Sequence, residues 1–323
     1  MANNLIVTSS PHIQDSATTR KLMGHVIIAL LPTVAASAII FGWEALLLTG
    51  VTVAACVGFE ALYCLLMKKK NPVGDLSAVV TGILLAFNMP VTMVHELYIP
   101  IIGAFIAVVL VKQLFGGLGM NFANPAIVAR IVLAISFTDS MTRWVFPQNG
   151  VDVLASATPL AANPPADGQT LMTLLMGNYG GVIGETCAIT LLLGGVYLIA
   201  TKTINAVLPI AYLGTVAVFS ILAGQNALVQ LLSGGLLLGA FFMATDYVTS
   251  PFTFTGKLAF GIGLGLLTCL IRFYANMPEG VSYSILIMNL LVPYLNVLTR
   301  QKPLGARKEK KHKENTGEGG AKA

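Results

Sequence analysis

Ten apolar runs separated by short polar breaks constrain this chain more than any other feature. They lie at about 22–41, 44–66, 76–88, 98–115, 124–137, 181–200, 206–222, 228–244, 258–272 and 282–298. A helix needs about 20 apolar residues to cross a hydrocarbon core of roughly 30 Å. In that solvent only helices or closed barrels satisfy every backbone polar group. Hydrophobic residues make up 55% of the 323, charged residues only 10%, and mean hydropathy is +0.79, whereas soluble domains are about a quarter charged. The expected fold class is therefore an all-α polytopic membrane protein of about ten transmembrane helices. The first twenty residues are polar and the first run has no small-residue cleavage site, so no cleavable signal peptide is expected.

The runs divide five and five, and the halves share a pattern. Gly82, Val91 and Thr92 align without a gap on Gly239, Val248 and Thr249, at a constant offset of 157 residues. An odd number of spans per half reverses orientation, which gives two inverted five-helix repeats. The third run is short: thirteen residues at 1.5 Å rise reach only about 20 Å. The fifth is similarly short. Both predict broken or re-entrant helices meeting near the midplane, where irregular backbone survives only inside protein or beside a cavity.

Charge placement predicts topology. Of 19 Lys and Arg, 16 fall at one set of ends or on the C-terminal tail, including Lys68, Lys112, Lys202 and Lys257. The positive-inside rule then puts both termini of a multi-pass membrane protein in the cytoplasm. A net charge of +5 distributed this way follows the bilayer and does not signal nucleic acid. The expected organisation is a cytoplasmic segment 1–21, a first repeat 22–137, an extracytoplasmic loop 138–180, a second repeat 181–299 and a basic disordered tail 300–323. Cys56, Cys64, Cys187 and Cys269 lie singly inside spans as apolar fillers. The four His are too scattered for a metal site.

Two segments carry candidate chemistry. In the long polar loop, Asp152 precedes Thr158 by six residues, small neighbours Ala155, Ser156 and Ala157 leave the Thr158 hydroxyl open, and Pro159 stops any helix. The residues alone describe a turn presenting an accessible hydroxyl. Between the fourth and fifth spans, Gly116, Gly117 and Gly119 permit tight turns, and Asn124 precedes Pro125 as a helix cap. Asn121 and Asn124 offer amide donors and acceptors for a polar ligand. A capped re-entrant turn without a ligand is the competing reading. No strand precedes these glycines, which excludes a dinucleotide fingerprint. Among ionisable groups at membrane depth (Asp75, Arg130, Glu185, Asp246, Glu44 and Glu60), Asp246 ends a short helix of the repeat, where a carboxylate could meet a passing cation. Asp75 reads as a helix N-cap beside Ser77.

The loop resembles the flavin-attachment motif of membrane proteins in the Rnf and Na+-translocating NADH:quinone reductase complexes. Asp152, Ala157 and Thr158 fit that motif. Ala155 and Ser156 depart from it, and Ser156 is a second candidate hydroxyl. The block from Gly116 through Asn121, Asn124 and Pro125 to Arg130 is similar to the corresponding segment of the RnfD proteins and of their quinone-reductase counterpart, NqrB. The segment 244–251 resembles a further family block, with Tyr247 where Pro is usual. The resemblance spans roughly residues 20–300. It implies covalent FMN esterified through its phosphate to Thr158 by a flavin transferase, and riboflavin near Asn121 and Asn124. It also implies the Rnf proteins A, B, C, E and G as partners in a complex that passes electrons between ferredoxin and NAD while moving Na+ or H+. A channel or secondary transporter of the inverted-repeat type, without a redox cofactor, is the alternative; a scaffold without catalysis is a third.

Overall fold

The computed structural model describes residues 18–69, 73–143, 168–177, 179–185, 187–275 and 280–300. Asp152, Ser156 and Thr158 lie outside the described residues. Among those described, the protein folds into thirteen helices and no strand.

The first half opens with α1 (Thr19–Phe41), which starts where the Thr18 hydroxyl accepts the Lys21 N–H at 3.3 Å. The chain turns at Gly42 into α2 (Trp43–Leu66), then enters the short α3 (Ser77–Phe87). Helix α4 (Tyr98–Phe105) continues as a π-helix over Ile106–Gln113, and α5 (Pro125–Ser136) closes the half. Two short helices follow, α6 (Thr138–Met141) and α7 (Gly168–Met176). The second half contains α8 (Ala188–Ala200), α9 (Val207–Leu222), α10 (Ala227–Leu232) and α11 (Leu236–Leu238), the last extended by a π-helix over Gly239–Met243. It ends with α12 (Phe254–Tyr274) and α13 (Gly280–Leu298). Helices α1, α2, α12 and α13 are long and apolar enough to cross a membrane. Their outer faces, with those of α9, leave Ile39, Leu65, Leu222 and Leu298 more than two-thirds exposed, as lipid contact requires. The chain is a multi-pass membrane protein.

Backbone dihedrals supply the repeat with a physical basis. Helices α1 and α8 end at left-handed residues Gly42 (φ 79°) and Lys202 (φ 56°). Helices α2 and α9 end the same way at Lys68 (φ 51°) and Gly224 (φ 69°). The short helices α3 and α11 both start after one, at Leu76 (φ 61°, ψ 5°) and Gly235 (φ 67°, ψ 11°). Equivalent first helices α1 and α8 pack together, and so do the last helices α5 and α13, as a pseudo-two-fold demands. The aligned Gly82 and Gly239 are both close-packing points. A Cβ on Gly82 would sit 2.7 Å from the Val53 Cα, and one on Gly239 2.5 Å from the Val281 Cγ1.

Three expectations need correction. The eighth run is two helices, because Gly234 (φ 69°) and Gly235 (φ 67°) take conformations no helix interior accepts. The sixth helix starts at Ala188, not 181. Val182 and Ile183 are buried there for a different reason: the segment caps the C-terminus of α3, with Ile183 N–H on the Met89 carbonyl at 3.1 Å and Gly184 N–H on the Phe87 carbonyl at 2.9 Å. Asp75 does not cap α3; it lies in a 3-10 turn (Val73–Asp75), and the left-handed Leu76 takes the cap position without a side-chain bond.

Candidate functional site

The broken helices bring their ends together at the centre of the molecule. Asn88, at the end of α3, donates to the Leu84 carbonyl at 2.6 Å and lies 3.8 Å from the Met243 sulfur at the end of the second broken helix. Arg130 of α5 donates to Asn88 at 2.6 Å and stands 3.6 Å from Glu185. On the far side of the second break, Arg272 holds the carbonyls of Gln230, Ser233 and Gly234 at 2.8–3.1 Å. Two of the intramembrane charges singled out from the sequence, Arg130 and Glu185, are thus braces for broken helix ends. Buried charges persist only when paired in this way.

Beside these ends lies a cavity of about 330 Å³, within the range of small-molecule sites. It brings together Asn121 and Asn124 from one repeat and Asp246 from the other. Leu84, Phe241 and Phe242 supply apolar wall, and Lys112 and Ser77 are among its further polar groups. The two Asn residues differ in what they have left to offer. Asn124 caps α5 by accepting the Ala126 N–H at 3.1 Å, and donates to the Met243 carbonyl at 3.2 Å. Asn121 donates to the nearby Ala123 carbonyl at 3.1 Å and lines the same cavity as Asp246. Asp246 accepts from the Thr249 hydroxyl at 3.2 Å. Tyr247 anchors this loop by donating its hydroxyl to the Thr203 carbonyl.

Because Asn124 joins one helix start to the other repeat's helix end, Asn124→Ala is expected to cost about 2 kcal/mol. This would be read as a lower thermal midpoint in detergent; an unchanged midpoint would show that the cap contributes nothing to the fold.

Two participants were not legible in sequence. Asn289 of α13, with its amide oriented to satisfy its neighbours, accepts the Asn124 N–H at 3.2 Å and donates to the Thr249 carbonyl at 3.1 Å. An Asn in the middle of an apolar helix was the available signal. Lys112, counted above as a topological charge, is 3% exposed and bonded to Glu60 at 2.6 Å. Chemically, the cavity combines a largely apolar lining with amide, carboxylate and ammonium groups. That suits a mostly apolar ligand carrying a few polar groups.

Comparison with known proteins agrees with this architecture. The profile of the NQR2, RnfD, RnfE family matches residues 6–305. The chain is 45% identical over 313 residues to the D component of the Na+-translocating ferredoxin:NAD+ oxidoreductase complex of Acetobacterium woodii, covering 95% of this chain and 98% of that one. It is 36% identical over 325 residues to the D component of the proton-translocating ferredoxin:NAD+ oxidoreductase complex of Clostridium ljungdahlii, covering 95% and 98%. It is 37% identical over 327 residues to the D component of the ion-translocating oxidoreductase complex of Stutzerimonas stutzeri, covering 88% and 92%. With a family profile spanning nearly the whole sequence and relatives this similar along their full length, the chain belongs to the NQR2, RnfD, RnfE family.

Proposed function

We propose that this chain is the D component of an Rnf-type complex that couples electron transfer between ferredoxin and NAD to movement of Na+ or H+ across a bacterial cytoplasmic membrane. In this reading both termini are cytoplasmic and the loop 138–180 is extracytoplasmic. Thr158 carries FMN as a phosphoester installed by a flavin transferase; Asp152 belongs to the attachment motif, and Ser156 is the second candidate hydroxyl. The Rnf proteins A, B, C, E and G are the partners. The observation that carries the reading is the convergence of Asn121, Asn124 and Asp246, from both repeats, on one cavity.

The residues present fit a noncovalent flavin such as riboflavin. The volume is adequate for a ligand of that class, the wall is apolar, and a flavin edge needs donors and acceptors of the kind these side chains hold. Bound there, a flavin would supply electron transfer, and the protein's part is to orient it and set its potential. Asn121 is placed to bond the ring edge while Asn124 holds the helix start that shapes the wall. Asp246 presents a carboxylate on the same cavity, where a cation accompanying the electron could be balanced.

Asn121→Leu is the test. The variant is expected to lose acid-extractable flavin while its covalent flavin fluorescence stays at the wild-type level. Full retention of both would leave Asn121 a local turn residue and remove the cavity from the redox path. The broken helices alone would equally suit a secondary transporter, which needs neither flavin.

A further inference from the structure

Lys112 and Glu60 form a charged pair that the function just described does not use. Lys112 sits in the π-helical stretch Ile106–Gln113. Adjacent residues on an α-helix do not face the same point, yet here Lys112 and Gln113 both donate to Glu60 Oε1, at 2.6 and 2.8 Å. The π geometry, rare and frequent at functional sites, makes this convergence available. The ammonium also donates to the Ser77 hydroxyl at 2.6 Å, at the first turn of α3. Three features suggest more than packing. Among the described residues, Lys112 is the one cationic side chain lining the cavity. Two of its three N–H groups are engaged by Glu60 and Ser77, leaving a third. Glu60 is wholly buried, and while its Oε1 takes two donors, its Oε2 has no hydrogen-bond partner among the described residues. A pair serving packing alone would satisfy both oxygens, since an unsatisfied buried carboxylate oxygen is costly.

We propose that Lys112 supplies the positive charge that sets the reduction potential of the flavin in the cavity, and that Glu60, held on one oxygen by Gln113, is the counter-charge that moderates it. The proposal rests on the cavity reading above. A cation beside the ligand favours the state that has gained an electron, and a nearby anion opposes it; in a low-dielectric interior both effects are large. Lys112 forms no covalent bond and exchanges no electron. It sets how strongly the site holds one. The ammonium lines the cavity and Glu60 does not, so its effect exceeds that of the carboxylate behind it.

The experiment is a redox titration of the noncovalent flavin in the purified full-length chain, followed by absorbance, in a Thr158→Ala background so that a flavin bound at Thr158 does not contribute. At the wild-type midpoint, Lys112→Gln is expected to shift the reduced-to-oxidised ratio at least about tenfold toward oxidised flavin, and Glu60→Gln to shift it toward reduced flavin. Lys112→Arg should stay near wild type. The double variant Glu60→Gln with Lys112→Gln leaves no uncompensated buried charge, so it guards against misfolding of the single variants; it should still shift toward oxidised flavin. Opposite signs for the two single variants are a signature that a merely structural pair would not give. A reference chain without noncovalent flavin would overturn the cavity reading, and the Lys112 assignment with it. Flavin present at an unmoved potential in the double variant would overturn the assignment alone. So would loss of flavin from every variant, Lys112→Arg included, because the pair would then be a packing element.

Discussion

Thr158→Ala is expected to abolish covalent flavin fluorescence in a denaturing gel while leaving the protein in the membrane at normal abundance. The phosphoester needs an oxygen nucleophile, and Ala has none, so the expected loss is complete. Stability should change little, because the sequence reads Thr158 as a polar-loop residue, and surface substitutions typically fall within about 0.5 kcal/mol. The same segment holds a second hydroxyl at Ser156, two residues earlier. Ser156→Ala should therefore leave the fluorescence intact. Fluorescence that survives Thr158→Ala and vanishes in Ser156→Ala would move the acceptor; survival in both would refute attachment at this motif.

The second large effect is structural. Gly184→Val should deplete folded protein, through a loss on the order of 4 kcal/mol or more. A Cβ at Gly184 would lie 2.7 Å from the Phe87 Cγ and 2.9 Å from the Phe87 carbonyl oxygen. Neither can retreat, because Phe87 is fully buried and that carbonyl accepts the Gly184 N–H. Forcing this stretch of chain away strips the α3 terminus of two hydrogen bonds where water cannot replace them. The measurement is the thermal midpoint and folded yield in detergent. A midpoint equal to wild type would mean that residues 182–185 do not cap α3.

The long helices were legible because their signal is local. An unbroken apolar run of span length, as in α1, α2, α12 and α13, leaves few alternatives in a bilayer. The repeat was legible through Gly82 and Gly239, since each is forced by close helix contact and not by composition. What sequence reading missed depends on contacts between distant residues or on backbone angles that hydropathy does not register. The eighth run looked continuous because Ser233, Gly234 and Gly235 interrupt it without adding charge. Val182 and Ile183 looked like the start of a span because burial as a cap and burial in a helix have the same composition. In the site, Asn121 and Asn124 announced themselves through the glycines before them and Pro125 after them. Lys112 did not. Its partner Glu60 lies 52 residues earlier, and a Lys near a span end reads as a topological charge until the fold shows it buried. Asp246 was found through the repeat, but its meeting with Asn121 needed the two halves assembled.

The central claim is that this chain is a flavin-bearing, redox-active membrane subunit, and a flavin inventory of the purified wild-type protein tests it most directly. Intact mass and acid extraction should be measured on the same sample. The expected result is a mass raised by one FMN less one water, unaffected by acid or heat, together with a noncovalent flavin released by acid. A protein with the mass of the bare chain and no extractable flavin would contradict the claim and leave an inverted-repeat channel or transporter in its place.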